Sequence, residues 1–267
     1  MPEYFLSKIM VYPIKSLGWI EPEEWEVQKR GFKLDRRWML VDEEGNFVSQ
    51  RKFPQLAILK TEITSSGILV KNSFTQENFE IPFEIKKKKQ LKVKIFNDET
   101  SALYAGNQAS NFFSNFLKTK VKLVFMPEEF TRPVNPAYGS KKDIVSFADG
   151  FPYLLINTAS VVNLNKRLKK KIPAERFRPN LIIEGKIPFE EDGWSKIKIG
   201  EIIFKIVKPC SRCTVITVNQ KTGEKEPEPL KVLSEFRKVE NKVMFGENLI
   251  AAREGKLKIG DKIEILE

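Results

Sequence analysis

Apolar residues in this chain recur mostly in short runs of period two, broken by turn residues. Leu91, Val93 and Ile95 alternate with Lys92 and Lys94, which predicts a half-buried strand with its lysines toward water. Leu6 to Tyr12, Arg37 to Val41, Leu56 to Ile63 and Gly67 to Lys71 read as further strands, separated by turn chemistry such as Glu44-Gly45-Asn46 and Ser65-Ser66-Gly67. Leu181 to Ile183, Ile197 to Ile199, Ile202 to Val207 and Thr214 to Val218 continue the pattern. Residues 256–266 read as two short strands around Gly260-Asp261.

Helical spacing is sparse. After Asn107, a plausible N-cap, Ala109, Phe112, Phe113, Phe116 and Leu117 share one face of a predicted helix. A second helix is predicted from Thr158 to Lys169 with Val161, Leu164 and Leu168 inward, and a third from Pro229 with Leu230, Leu233 and Phe236. The expected class is mainly β with a few helices (α+β), in barrel-like domains rather than alternating βαβ units. Residues 126–140, rich in Pro and polar residues, read as the junction of two domains, at 1–120 and 121–267.

Composition narrows the chemistry. The 267 residues include no histidine, which excludes Ser-His-Asp and Cys-His catalysis and histidine-ligated zinc, haem or iron within this chain. Two cysteines exclude four-thiolate zinc sites, intact iron–sulfur clusters and a disulfide framework. The formal net charge is +11, and Lys86 to Lys89 and Lys169 to Lys171 are the main like-charge runs. Those runs lack interleaved aromatics, so they read as solvated loop ends and nucleic acid is not the expected partner. Neither a secretory signal nor a stretch long enough to span a bilayer is evident, and a cytoplasmic protein is expected.

The strongest local signal is Lys208-Pro209-Cys210-Ser211-Arg212-Cys213. Three readings stay open: two ordinary half-buried thiols, a redox pair, or one thiolate ligand for a metal, flanked by cations that favour the thiolate and an anionic cofactor. A redox pair of the thioredoxin kind opens a helix, whereas the β-branched Thr214-Val215-Ile216-Thr217-Val218 predicts a strand. Other cations stand beside strands: Lys15-Ser16 after Tyr12-Pro13, Arg36-Arg37 before Trp38, and Arg176-Phe177-Arg178-Pro179-Asn180 before Leu181. An Arg with a Pro-Asn at a strand start can fix a guanidinium and an amide toward a phosphate or a polar ring edge.

In order, Tyr12-Pro13-Ile14-Lys15-Ser16, Asp35-Arg36-Arg37-Trp38, Phe147-Ala148-Asp149-Gly150-Phe151-Pro152, Arg176 to Asn180, Lys208 to Cys213, Thr222-Gly223, Glu228-Pro229-Leu230 and Phe245-Gly246-Glu247-Asn248 resemble the MOSC proteins. That family shares a domain with the C-terminus of molybdenum cofactor sulfurase and includes the mitochondrial amidoxime-reducing component and its bacterial relatives. The resemblance implies an N-terminal MOSC-associated β-barrel followed by the MOSC domain, and molybdenum cofactor (molybdopterin) as the ligand. It assigns Cys213 as metal ligand, Ser211 and Arg212 as cofactor contacts, and Lys15, Ser16, Arg36, Arg178 and Asn180 as holders of the pterin and its phosphate. Asp149 falls in the active-site loop and is the candidate proton relay. One thiolate, several cations and no histidine suit such a cofactor.

The implied activity is reduction of small N-hydroxylated or N-oxide compounds. No ferredoxin domain of the kind some bacterial relatives carry is present, so electrons are expected from a separate redox protein. The alternatives are a cofactor or sulfur carrier without turnover, a pyridoxal phosphate role, and a nucleic-acid-binding barrel.

Overall fold

The computed structural model describes residues 3–85 and 89–267, so Lys86 to Lys88 of the first lysine run lie outside the described residues. The first half of the chain forms β1 (Tyr4–Ile9), β2 (Glu24–Gln28), β3 (Gly31–Phe32), β4 (Trp38–Val41), β5 (Leu59–Ile63), β6 (Gly67–Asn72), β7 (Asn78–Pro82), β8 (Gln90–Ile95), β9 (Asp98–Tyr104), α1 (Asn107–Leu117) and β10 (Lys122–Phe125). The second half adds β11 (Tyr153–Asn157), α2 (Thr158–Asn165), β12 (Leu181–Glu184), β13 (Lys196–Ile199), β14 (Ile202–Arg212), α3 (Glu228–Phe236), β15 (Lys238–Val239), β16 (Lys242–Ala251), β17 (Gly255–Lys258) and β18 (Lys262–Ile265). The architecture is mainly β, as the alternating pattern predicts.

Seven strands close a barrel in the order β11-β12-β1-β18-β13-β14-β16, sealed by the antiparallel pairing of β16 with β11. Its interior is apolar: Leu6, Ile9, Leu155, Ile197, Phe204 and Leu249 are buried there, and Tyr153 meets Phe32 and Phe204 edge to face. Strand β1 is supplied by the first residues of the chain yet pairs with β12 and β18 of the second half. The first half builds the sheets β4-β10-β9-β8 and β5-β6-β7, which share with α1 a second core of Ile14, Trp38, Leu40, Ile68, Phe113 and Leu123.

Several expected elements are corrected. Gly106, not Asn107, caps α1: its φ of +103° is open to glycine, while Asn107 is already helical and its Oδ1 accepts from the Tyr104 hydroxyl at 2.8 Å. Helix α2 stops at Asn165, whose side-chain amide clasps the Ile172 backbone at 2.8 and 2.9 Å and turns the chain. Residues Pro54–Ile58 form a 3-10 turn before β5 because Pro54 starts it. Thr214–Thr217 is also a 3-10 turn and not a strand. There Thr217 donates its hydroxyl to the Thr214 carbonyl at 2.7 Å, and Ile216 buries against Phe245 and Leu233. The two C-terminal strands form but do not pair with each other: β17 joins β2, and β18 joins β1 and β13.

Arginines hold the segment between the halves. Arg30 donates to the carbonyls of Pro127, Glu128 and Phe130, and Arg37 to that of Met126. These bonds satisfy a backbone that has little regular structure of its own. Lys169 to Lys171 are exposed, as a solvated run should be.

Candidate functional site

Barrel register gathers the candidate residues at one rim. Ile9 pairs with Leu181, so the chain leaving β1 lies beside the chain approaching β12. Leu155 pairs with Leu181 in parallel, which brings the 147–152 loop to the same end. Leu154 pairs with Asn248 and Asn248 with Lys208, placing the far end of β14 there too. Strand β14 slips register twice along β16, around Val207 and Cys210. Pro209, which has no N–H to give to a ladder, sits between the two slips. Opposite, Gly246 adopts φ +74° where a Cβ would meet the Leu155 carbonyl oxygen at 2.7 Å.

The result is a cleft lined by all nine candidate residues: Lys15, Ser16, Arg36, Asp149, Arg178, Asn180, Ser211, Arg212 and Cys213. Phe47, Gln50, Arg51, Phe151, Cys210 and Asn248 complete much of its wall. Both cysteines are free and half-buried. Three of the lining residues, Ser16, Arg36 and Arg178, hold positive φ without being glycine (+73°, +48° and +55°). Backbone strain of this kind persists only where the surroundings over-determine it, and it concentrates at functional sites.

Each cation is held differently. Arg36 donates to buried Asp35 at 2.7 Å, to Asn180 Oδ1 at 3.1 Å and to the Arg178 carbonyl at 3.0 Å. Arg178 has none of this: both Nη atoms are buried and without a hydrogen-bond partner. Both guanidiniums stand over the Tyr12 ring, Arg36 at 4.4 Å and Arg178 at 4.3 Å from its centroid, so its π-system attracts both cations. Burial pulls the Arg178 pKa down to about 10, and the nearby Arg36 adds to that. A guanidinium with idle, desolvated donors at a cleft wall is built for an anion.

Lys15 is buried and donates to the Phe147 carbonyl at 2.7 Å and to Asp149. Its burial lowers its pKa to about 8, with Asp149 opposing the fall. Asp149 itself is raised by desolvation but pulled further the other way by Lys15, Arg51 and Arg36, to about 2. It is therefore ionised at neutral pH.

Arg212 donates to Cys210 Sγ at 2.8 Å and to the Phe177 carbonyl, while its Nε is buried without a partner. Cys213 immediately precedes the Thr214–Thr217 turn. Asn180 is anchored within the protein: its Oδ1 accepts from Arg36, and its Nδ2 donates to the Met10 carbonyl at 3.1 Å. It thereby positions Arg36, and one N–H and one lone pair of its amide stay uncommitted at the cleft wall.

Sequence reasoning missed three contributors. Arg132, buried in the segment between β10 and β11, donates to the carbonyls of Ser146, Ala148 and Asp149 at 2.8, 2.7 and 2.9 Å and so shapes the Asp149 loop. The dipeptide Arg132-Pro133 repeats Arg178-Pro179, a signal that was available. Arg51 approaches Asp149 at 3.4 Å and stacks on Phe96, and Gln50 supports the Ser16 carbonyl at 2.7 Å. Neither carries a local sequence signal. Arg176, grouped with Arg178 in the sequence, turns away: it is buried and bonds the Thr217 carbonyl and Glu226.

Comparison with known proteins identifies the domains. Residues 4–120 match the MOSC N-terminal beta barrel domain and residues 142–264 the MOSC domain. The chain is 31% identical to mitochondrial amidoxime reducing component 2 of Rattus norvegicus, over 97% of this chain and 82% of that one. It is 28% identical to mitochondrial amidoxime-reducing component 1 of Homo sapiens, over 98% and 82%. Identity to the molybdenum cofactor sulfurase of Homo sapiens is 30% over 93% of this chain, which spans only 30% of that longer protein. Among the described residues no helix is long and apolar enough to cross a membrane. The chain belongs to the MOSC proteins that join an N-terminal MOSC β-barrel to a MOSC domain.

Proposed function

We propose that this chain is a molybdenum-cofactor-dependent oxidoreductase that reduces N-hydroxylated or N-oxide compounds, with Cys213 as the protein ligand of the metal. One observation carries this reading: a half-buried thiol shares a cleft with a guanidinium whose buried donors have no partner, in a relative of the amidoxime-reducing components. The donor set suits a phosphate-bearing pterin. Arg178 and Arg36, with Lys15, Ser16 and Arg212, would hold its phosphate and ring, and Cys213 would supply the thiolate. When bound, the cofactor supplies a two-electron redox centre able to take up oxygen.

Reduction of an N–OH group consumes two electrons and two protons and releases the reduced nitrogen and water. Without histidine, the protons must pass through other groups. Lys15 titrates near 8 and Asp149 near 2, so at neutral pH the pair's proton rests on Lys15. Asp149 then orients that ammonium and accepts from it, and Arg132 fixes the loop on which Asp149 rides. Electrons would come from a separate redox protein.

The test is elemental and pterin analysis of the purified protein, followed by reduction of benzamidoxime with an artificial electron donor. Cys213→Ser should abolish activity and release the metal, while Cys210→Ser, which only exchanges a sulfur acceptor for an oxygen one beside Arg212, should be milder. Equal losses would overturn the assignment of the ligand. A second reading, a cofactor or sulfur carrier, is favoured by the kinship with molybdenum cofactor sulfurase. It predicts a protein that retains cofactor and reduces nothing.

A further inference from the structure

A second hollow adjoins the cleft and shares Asp149, Gly150 and Phe151 with it. Its remaining wall includes Tyr138, Pro133 and Phe96, with Lys208 at the side nearest the Cys210–Cys213 segment. Lys208 is half-buried, and its ammonium lies 4.3 Å from the Tyr138 ring and 5.9 Å from the Phe151 ring. Those rings meet edge to face at 5.8 Å, so the ammonium is steadied by aromatic surface instead of by an acid.

The carboxylates around this hollow are already engaged. Asp98 pairs with Arg132 at 2.9 Å, Glu99 with Lys92 at 3.4 Å, and Asp149 with Lys15. Among the described residues no carboxylate stands within ion-pair distance of Lys208 Nζ. The wall mixes polar residues such as Asn97, Asn135 and the engaged carboxylates with Phe96, Pro133 and Val134. An ammonium poised on two rings, with its N–H donors idle, recognises an anion attached to an aromatic body that can lie along those rings. The register places it correctly for this task. Lys208 pairs with Asn248, whose Nδ2 donates to the Lys208 carbonyl at 3.3 Å, and Asn248 lines the first cleft.

Resting on the reductase reading above, we propose that this second hollow is a substrate subsite, and that Lys208 selects N-hydroxylated compounds carrying an anionic substituent on an aromatic body. Substrate would straddle Asp149-Gly150-Phe151, with its N–OH in the cleft and its anion on Lys208.

The probes are 4-carboxybenzamidoxime and its neutral methyl ester. Titrated calorimetrically into the protein as purified, the acid should bind about tenfold more tightly than the ester, as expected for one charge-assisted hydrogen bond in a half-buried site. The same preference should appear in KM for the cofactor-loaded enzyme. Lys208→Met should collapse the ratio to near unity, and Lys208→Arg should restore most of it. Equal binding of acid and ester by the wild type, binding of neither, or an unchanged ratio in Lys208→Met would overturn the subsite. Should the loaded protein reduce neither compound while the acid still binds preferentially through Lys208, the reductase reading fails and the anion site stands.

Discussion

Lys15 donates to Asp149 across 134 positions of sequence, and the two residues meet with opposite exposures: the lysine side chain is 7% accessible, the aspartate 60%. The carboxylate therefore covers a buried ammonium from the solvent side and keeps it charged. Burial sets the Lys15 pKa near 8, so anion affinity in the cleft should weaken as pH rises through that value. In Asp149→Asn the opposing carboxylate is gone, the Lys15 titration moves below 8, and the loss begins at lower pH. Lysine NMR titration, run beside phosphate binding, measures both. An unmoved Lys15 midpoint in the variant would refute the coupling.

Arg178 trades stability for binding. Its buried Nη atoms lack partners in the free protein, which costs free energy that an anion would return. Arg178→Met should weaken phosphate and cofactor retention by about tenfold or more. Without ligand it should raise Tm, by roughly 3 °C if about 1 kcal/mol is recovered. A variant less stable than the wild type and equally able to bind would show that Arg178 is structural.

Glu247 is buried in the barrel wall with one carboxyl oxygen unpartnered, and desolvation, aided by Asp192 and Glu191, raises its pKa to about 8. The folded chain thus keeps a proton there that the unfolded chain loses near pH 4.5. Stability from this group is complete below that pH and declines as pH climbs toward 8. Glu247→Gln should remove the decline, so its Tm advantage over the wild type grows between pH 5 and pH 8. Scanning calorimetry at several pH values decides; parallel curves would contradict the assignment.

Arg132 should matter more than its partner. Replacing it by Leu strands the carbonyls of Ser146, Ala148 and Asp149, and a loss of about 3 kcal/mol is expected. Asp98, 54% exposed, forms the rim half of that ion pair, and Asp98→Asn should cost below about 1 kcal/mol. Urea denaturation of the two variants checks the order.

Much of this was readable along the chain, and for physical reasons. The alternation at Leu91 to Ile95 forecasts β8, because a strand with one wet face must repeat every two residues. The cations beside strands forecast the cleft, since barrel register brings strand ends together. Thr214 to Thr217 misled: β-branched residues favour strands on average, but here burial of Ile216 against α3 and a hydroxyl-to-carbonyl bond decide for a 3-10 turn. That turn removes the strand argument against a redox pair. The thioredoxin arrangement still fails, because the turn is only four residues long and follows the second cysteine. Sequence does not reveal that the Asn180 amide ties the Met10 carbonyl to Arg36, a link made only when these distant segments meet. Arg51 and Gln50 were invisible, as their roles arise only when loops distant in sequence converge.

The strand Tyr4–Ile9 bridges β12 and β18, the one stave of the barrel that the front of the chain contributes. Its two neighbours stand far along the chain, β12 at Leu181–Glu184 and β18 at Lys262–Ile265, so the barrel cannot close until both have been made. A fragment holding only the later MOSC portion would present two bare edges where Tyr4–Ile9 belongs, an invitation for a copy of itself to fill the gap.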